Sequence, residues 1–138
     1  MLFRRPPGQW LAAFLVTLSV LTAAPAWADM RLLMFEQDGC PWCARWNADI
    51  APAYAKTEEG KRAPLERLDI HAALPAGIAL KRMPQFTPTF VLTRDGAEVG
   101  RIEGYPGADF FWGLLDGLLR QAAREPATPS APNSPIKS

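Results

Sequence analysis

The two cysteines of this 138-residue chain stand only two residues apart, in the sequence Cys40-Pro41-Trp42-Cys43. A disulfide at that spacing closes a very small loop, and the stabilisation that a disulfide provides grows with the length of its loop in the chain-entropy account. Such a bridge would do little to hold a fold together. The pair is therefore a redox couple, half of a metal site, or an accident of composition.

The first 28 residues have the three parts of a secretory signal peptide. A pair of arginines precedes the uncharged apolar run Trp10–Ala24, and Ala26 and Ala28 occupy the −3 and −1 positions of a cleavage site before Asp29. The apolar run is shorter than the ~20 residues that a membrane span needs. We therefore predict export with cleavage after Ala28, and retention as a membrane anchor is the alternative.

The charge of the chain gives no reason to expect a nucleic acid or an anionic membrane surface as its partner. Residues 1–28 carry two of the 15 basic residues and none of the 14 acidic ones, so the remainder is nearly neutral. Residues 125–138 contain four prolines, and their composition is typical of a disordered tail. One domain, residues 29–124, remains, and it is large enough to bury a modest core.

The hydrophobic pattern of that domain predicts four strands and three helices. In chain order they are a strand at Arg31–Glu36, a helix from Pro41 that Pro52 kinks or ends, a strand at Pro64–Ile70, a short helix at 75–83, strands at Thr87–Thr93 and 97–104, and a closing amphipathic helix at 107–123. The pattern predicts a polar connection over residues 54–63 and a hairpin turn at Arg94-Asp95-Gly96.

This order, β-α-β-α-β-β-α, predicts an α/β domain with a mixed four-stranded sheet flanked by helices. When two parallel strands are joined through a helix, their carboxyl ends meet at one edge of the sheet, and sites are built there. The CPWC sequence directly follows the first predicted strand. We therefore expect the cysteines to lie at that edge.

The strand, the C-P-W-C that opens a helix, and the Thr87-Pro88-Thr89 before a later strand together resemble the thioredoxin superfamily. The likeness covers nearly all of residues 31–123. Within the superfamily, the stretches MFEQDGCPWCARW, FTPTFVL and GRIEGYPGADFFWGLL are similar to the periplasmic thioredoxin-like proteins encoded with sulfur-oxidation (Sox) systems. The resemblance implies a thioredoxin-like fold and thiol–disulfide oxidoreductase activity, with no cofactor.

The two cysteines are predicted to have unequal roles. Cys40 stands at the start of a helix, where unpaired N–H groups and the helix dipole favour a thiolate. It is the expected exposed nucleophile, which forms a mixed disulfide with the partner. Cys43 lies three residues further into the helix, on the same face, and is the expected resolving thiol that attacks that mixed disulfide.

The resemblance also implies roles around the cysteines. Pro88 matches the superfamily's cis-proline, which offers backbone to an extended substrate, and Thr87 is expected to face the thiols. Trp42 lies in an exposed turn and is expected to contact the substrate.

Thioredoxins carry a buried Asp six residues before the first cysteine, where this chain has Met34. Glu36 is nearer the site and is the candidate for proton transfer, with a solvated strand-end charge as the alternative. Four other aromatic residues are expected in the core: Phe35, Trp46, Phe90 and Trp112.

Metal binding is the main competing class. Structural zinc needs four ligands, and two cysteines with the single histidine cannot supply them. Copper is less demanding, because the cysteines with His71 or Met83 provide ligands suited to Cu(I). Copper delivery therefore stays an alternative, as do a disulfide oxidase or isomerase and a non-catalytic binding module. No resident metal site is predicted.

The favoured prediction is a periplasmic reductase that acts as a monomer. Its partners would be disulfides or blocked cysteines on other exported proteins, including the sulfur-carrier cysteine of a sulfur-oxidation system. Without NADPH in that compartment, electrons are expected from a membrane thiol transporter, because an exported CxxC otherwise stays oxidised.

Overall fold

In the computed structural model, residues 28–125 are described. The predicted signal peptide and C-terminal tail lie almost entirely outside the described residues. The elements are β1 (Met30–Glu36), α1 (Pro41–Asp49), α2 (Ala51–Tyr54), α3 (Glu58–Arg62), β2 (Leu65–Asp69), β3 (Thr89–Arg94), β4 (Ala97–Glu103) and α4 (Ala108–Arg124). None of the helices in this range is long and apolar enough to cross a membrane.

The four strands form one mixed sheet in the order β2-β1-β3-β4. β1 pairs with β2 in parallel, which requires the helical crossover between them. β3 is antiparallel to both β1 and β4. Asp95 and Gly96 join β3 to β4 with φ angles of 51° and 81°, as the tightest hairpin turns require. The predicted mixed four-stranded sheet and the hairpin turn are confirmed.

The helix predicted at residues 75–83 is wrong. Gly77 has a φ of 84°, and Ala79 forms an isolated parallel bridge with Ala97 at the start of β4. The N–H of Ala79 donates to the carbonyl of Gly96 at 2.9 Å, and the N–H of Glu98 donates to the carbonyl of Ala79 at 3.0 Å. Pairing with the edge of the sheet therefore takes the backbone groups that a helix would have used.

The polar connection predicted at residues 54–63 is also wrong, because it contains the short helix α3. Thr57 is its N-cap and accepts a hydrogen bond from the N–H of Gly60 at 3.0 Å. Acidic residues in the first turn and basic residues in the last suit the helix dipole. The predicted break at Pro52 is confirmed, since α1 ends at Asp49 and Pro52 lies in the first turn of α2.

The main core lies between the sheet and helices α1 and α4. Trp46 is fully buried there, and its ring lies 5.2 Å from Phe90 and 5.7 Å from Phe111 between centroids. Both cysteines belong to the same buried cluster, so the cysteine pair lies against the core. A smaller cluster on the opposite face is centred on Leu33, Phe35 and Val91.

Three of the four predicted core aromatics, Phe35, Trp46 and Phe90, are buried. Trp112 is only half-buried and stacks on Tyr54 with 6.0 Å between ring centroids. The apolar stripe predicted for the closing helix is divided in the same way. Phe111, Leu115 and Leu119 are buried, whereas Phe110 and Leu114 are exposed.

Candidate active site

Cys40 and Cys43 form a disulfide at the start of α1, with 5.3 Å between their Cα atoms. Gly39, with a φ of 71°, turns the chain from the loop after β1 into this helix, and Pro41 occupies its first turn. Cys40 is the N-cap residue, and its Sγ accepts a hydrogen bond from the N–H of Cys43 at 3.1 Å. The local sequence therefore sets this geometry.

The two sulfurs differ in access, although less than predicted. Cys40 is 9 % exposed and Cys43 is 3 % exposed. The prediction that Cys40 is exposed is therefore wrong, because the disulfide lies against the hydrophobic core and Cys40 is buried. Cys40 is nevertheless the more accessible of the pair.

A pocket of about 690 Å³ opens beside the disulfide, between α1 and the carboxyl ends of β1 and β2. Both cysteines line it, together with Glu36, Asn47 and Arg67. The guanidinium of Arg67 donates to the Glu36 carboxylate at 2.9 and 3.1 Å and to the Asn47 side chain at 2.7 Å. Glu36 therefore lines the same pocket as the disulfide, and its carboxylate is paired with Arg67.

Trp42, which lies between the two cysteines in sequence, is 55 % exposed. It lines a second pocket, of about 350 Å³, with Arg45, Tyr105 and the two residues that follow. The hydroxyl of Tyr105 donates to the Asp49 carboxylate at 3.0 Å. Burial, with this hydrogen bond, raises the pKa of Tyr105 to about 12.

The peptide bond between Thr87 and Pro88 is cis. Thr89, the next residue, pairs with Phe35 near the carboxyl end of β1, from which the chain continues to the cysteines. This register places Pro88 at the same end of the sheet as the disulfide. Pro88 is buried and its carbonyl accepts from the N–H of Gly104 at 2.8 Å, whereas Thr87 is half-buried. That Thr87 faces the thiols stays a prediction.

His71 and Met83, the two residues that could join the cysteines in binding copper, have different surroundings. The Nε2 of His71 is 3.1 Å from the side-chain oxygen of Gln37, in the loop before Cys40. Met83 is exposed on the segment before Pro88. Among residues 28–125, no group of three or more His, Cys, Asp and Glu side chains is arranged to hold a metal ion. Copper delivery stays an untested alternative.

Comparison with known proteins decides the family. No family model and no curated protein matches the chain. Among solved structures, the chain is similar to the reduced form of the periplasmic thioredoxin SoxS from Paracoccus pantotrophus, with 57 % sequence identity and a TM-score of 0.67. The match covers 67 % of this chain and 98 % of that one. The chain belongs to the thioredoxin superfamily.

Membership of the thioredoxin superfamily and the disulfide of the CxxC pair identify a thiol–disulfide oxidoreductase. The predicted family, fold and enzyme class are thereby confirmed. Residue 34 differs from thioredoxins, which have a buried Asp at this position. Met34 is fully buried in β1, and its sulfur lies 3.6 Å from Arg67.

Two residues that line these pockets, Arg67 and Tyr105, are not predicted as site residues from the sequence. The sequence predicts only that Arg67 lies in a strand, and its pairing with Glu36 depends on the register of β2 beside β1. The available signal was a lone basic residue near the carboxyl end of the strand predicted to lie parallel to β1. Tyr105, which lies beside Trp42 in the second pocket, belongs to the stretch GRIEGYPGADFFWGLL, but the sequence predicts no role for it.

Proposed function

We propose that the chain is an exported reductase of disulfides on other proteins. The observation that carries this proposal is a helix-capping disulfide in a chain 57 % identical to a protein described as a periplasmic thioredoxin. An exported CxxC pair becomes a disulfide unless electrons are supplied. The protein therefore has to be reduced by a donor before each turnover.

In the proposed reaction the Cys40 thiolate attacks one sulfur of the partner's disulfide. The partner's S–S bond breaks, a mixed disulfide forms, and the released partner thiolate takes up a proton. Cys43 then loses its proton and attacks the Sγ of Cys40, which releases the second partner thiol. Two electrons have passed to the partner, and the enzyme is left with the Cys40–Cys43 disulfide.

Glu36 is the proposed acceptor of the Cys43 proton. It lines the pocket that Cys43 also lines, and a carboxylate is the natural base for a thiol that has to ionise in a largely buried position. Its pair with Arg67 holds the carboxylate at the pocket wall. Proton exchange with solvent would then take place through the open side of this pocket.

The partner polypeptide is proposed to lie across Trp42, Thr87 and Pro88. The exposed ring of Trp42 stands between the two cysteines in sequence, and the register of β1 and β3 brings Pro88 to the same end of the sheet. An aromatic ring that remains exposed beside a reactive bond is well suited to contact a partner.

The proposed location is the periplasm, with residues 1–28 as signal peptide, 29–124 as the catalytic domain and 125–138 as a tail. The name of the SoxS relative supports both this location and service to a sulfur-oxidation system. The sulfur-carrier cysteine of such a system is one proposed target. A membrane thiol transporter is the proposed electron donor, and the protein is proposed to act as a monomer.

The test is the equilibrium potential of the Cys40–Cys43 couple, measured against glutathione with the exported protein. A reductase is expected to be more reducing than about −200 mV, close to glutaredoxins and thioredoxin. A value near −120 mV, typical of a strong periplasmic oxidant, would contradict the reductase and favour the oxidase or isomerase alternative.

A further inference from the structure

Residues 79–88 take the place of the predicted second helix and run from the edge of the sheet to Pro88. We call this stretch the recognition segment. Its first residues are bonded to β4 through Ala79, and its end is fixed at Pro88, whose carbonyl accepts from Gly104. The hydroxyl of Thr89 donates to the carbonyl of Phe86 at 2.7 Å. The segment is thus held at both ends.

A nearly buried ion pair holds its middle. The Arg101 guanidinium donates to the Glu98 carboxylate at 2.6 and 2.7 Å, and the Glu98 side chain is 2 % exposed. Both partners also bond to the segment. Glu98 accepts from the backbone N–H of Lys81 at 2.8 Å, and Arg101 donates to the backbone carbonyl of Arg82 at 2.7 Å. We call Glu98 and Arg101 the clasp.

Covering the edge of β4 does not require such a pair. Edge strands are protected by short backbone pairing, and Ala79 already supplies that. A buried ion pair is usually no more stabilising than apolar residues of the same volume. The clasp instead forms two hydrogen bonds to the segment, one to the backbone of Lys81 and one to that of Arg82. These two bonds fix the position of the following residues relative to β4.

The residues that follow present apolar side chains to solvent. Met83 is exposed and Phe86 is 61 % exposed, whereas Pro84 and Pro88 are buried. A single exposed apolar side chain is ordinary. Here, however, Phe86 sits on backbone that is fixed on both sides and immediately precedes Thr87 and Pro88, the proposed contact with the partner polypeptide.

We propose that Phe86 is a specificity-determining residue, which contacts an apolar side chain next to the target cysteine of a partner protein. Glu98 and Arg101 are positioning residues that hold the recognition segment for this contact. The inference rests on the proposed function, because it adds to the surface formed by Trp42 and Pro88. It predicts discrimination between protein disulfides and small disulfides, since only a polypeptide extends as far as Phe86.

The test compares insulin with hydroxyethyl disulfide as substrates of the exported protein, with dithiothreitol as reductant. Phe86→Ala is expected to raise the KM for insulin roughly fivefold to tenfold with little change in kcat, as for the loss of one buried aromatic contact. Its rate with hydroxyethyl disulfide is expected to change far less. The matched control is Phe110→Ala, since Phe110 is 72 % exposed on α4. This control is expected to leave both rates unchanged.

Arg101→Met tests the clasp, with Arg120→Met as a control because Arg120 forms an exposed ion pair on α4. Arg101→Met is expected to raise the insulin KM as Phe86→Ala does, and Arg101→Lys is expected to fall between it and wild type, because lysine keeps the charge without the planar fork. Phe86→Ala itself, at an exposed position, tests the proposal without risk to folding.

Two results would overturn the inference and separate it from the proposed function. If wild type reduces both substrates and Phe86→Ala changes the two rates by the same factor, the proposed function stands and Phe86 has no role in selectivity. The same holds if Phe110→Ala raises the insulin KM as much as Phe86→Ala. If wild type reduces neither substrate, the proposed function fails, and the inference fails with it.

Discussion

The backbone N–H of Cys43 donates a hydrogen bond to the Sγ of Cys40 across 3.1 Å. Cys40 thereby receives one of the N–H groups that a helix leaves unpaired in its first turn. When the disulfide is reduced, this N–H and the helix dipole favour a thiolate on Cys40. Cys43 lies one turn further in and is less exposed. The two sulfurs are therefore chemically unequal.

The first prediction assigns attack to Cys40. Cys43→Ser is expected to leave Cys40 able to attack and unable to be released, so that partner proteins accumulate as mixed disulfides. Cys40→Ser is expected to trap almost none. Non-reducing gels of exported protein extracts incubated with each variant would show the difference, and mass spectrometry would identify the trapped partners. Equal trapping by the two variants would contradict this assignment of nucleophile and resolving thiol.

The second prediction concerns Glu36 as base for Cys43. Glu36→Gln keeps the shape of the side chain but removes its proton affinity, and positioned bases typically contribute about 10²-fold or more. In protein loaded with thionitrobenzoate on Cys40, the release of thionitrobenzoate by Cys43 is expected to slow by roughly that factor at neutral pH. The absorbance of the released thiol measures the rate.

Asp38→Asn is the control for this experiment, because Asp38 is an exposed carboxylate that lines the same pocket. It removes a negative charge without touching the pair of Glu36 and Arg67. Its release rate is expected to match wild type. Equal rates for all three proteins would mean that Cys43 gives its proton directly to water.

The cysteine turn was predictable because its signals are local. A buried strand, a proline in the first turn of a helix and cysteines at i and i+3 are sufficient to place Cys40 and Cys43 and to expose Trp42. The pairing of Glu36 with Arg67 was not predictable in this way, because the two residues are 31 positions apart and meet only through strand register.

The two errors in secondary structure have physical causes of the same kind. The local composition of residues 75–83 predicts a helix, but in the structure Ala79 pairs with Ala97 at the edge of the sheet. α3 was missed because five mostly polar residues show no helical periodicity, and isolated helices of that length are unstable. The N-cap at Thr57 and the charges of the first and last turns are its local signals, whereas its packing against the rest of the domain is not visible in the sequence.

The third prediction uses one substitution at two helical glycines with opposite expected signs. A Cβ on Gly60 would lie 1.9 Å from the carbonyl oxygen of Tyr54, which is backbone and cannot rotate away. Gly60→Ala is therefore expected to destabilise the fold by about 1–3 kcal/mol. A Cβ on Gly113 of α4 would meet nothing within 4 Å, so Gly113→Ala is expected to stabilise it by about 0.5–1 kcal/mol.

Urea unfolding of the oxidised protein measures both changes in the free energy of unfolding. Because both substitutions add the same methyl group, each variant is the control for the other. A Gly60→Ala protein as stable as wild type would show that α3 does not pack closely against Tyr54.

The last prediction is a loss of stability in acid that depends on Glu98. Burial raises the pKa of this carboxyl, but hydrogen bonds from Arg101 and from the N–H of Lys81 outweigh burial and hold the pKa below its usual 4.5. The pair also faces Glu103, 3.8 Å from Arg101. A depressed pKa in the folded state means that the unfolded chain binds the proton first as the pH falls. The contribution of Glu98 is therefore complete above pH 4.5 and is lost as the pH falls through its folded pKa.

Glu98→Gln is expected to be less stable than wild type at pH 7, and the difference is expected to shrink steadily below pH 4.5. Glu58→Gln is the matched control, because the pKa of Glu58 is lowered as well, by Lys61. The side chains of Glu58 and Lys61 are both exposed, so solvent screens their ion pair. Thermal unfolding from pH 3 to 7 measures both variants against wild type. If the difference between wild type and Glu98→Gln stays constant across that range, Glu98 does not stabilise the fold as a carboxylate, and the clasp is held by packing alone.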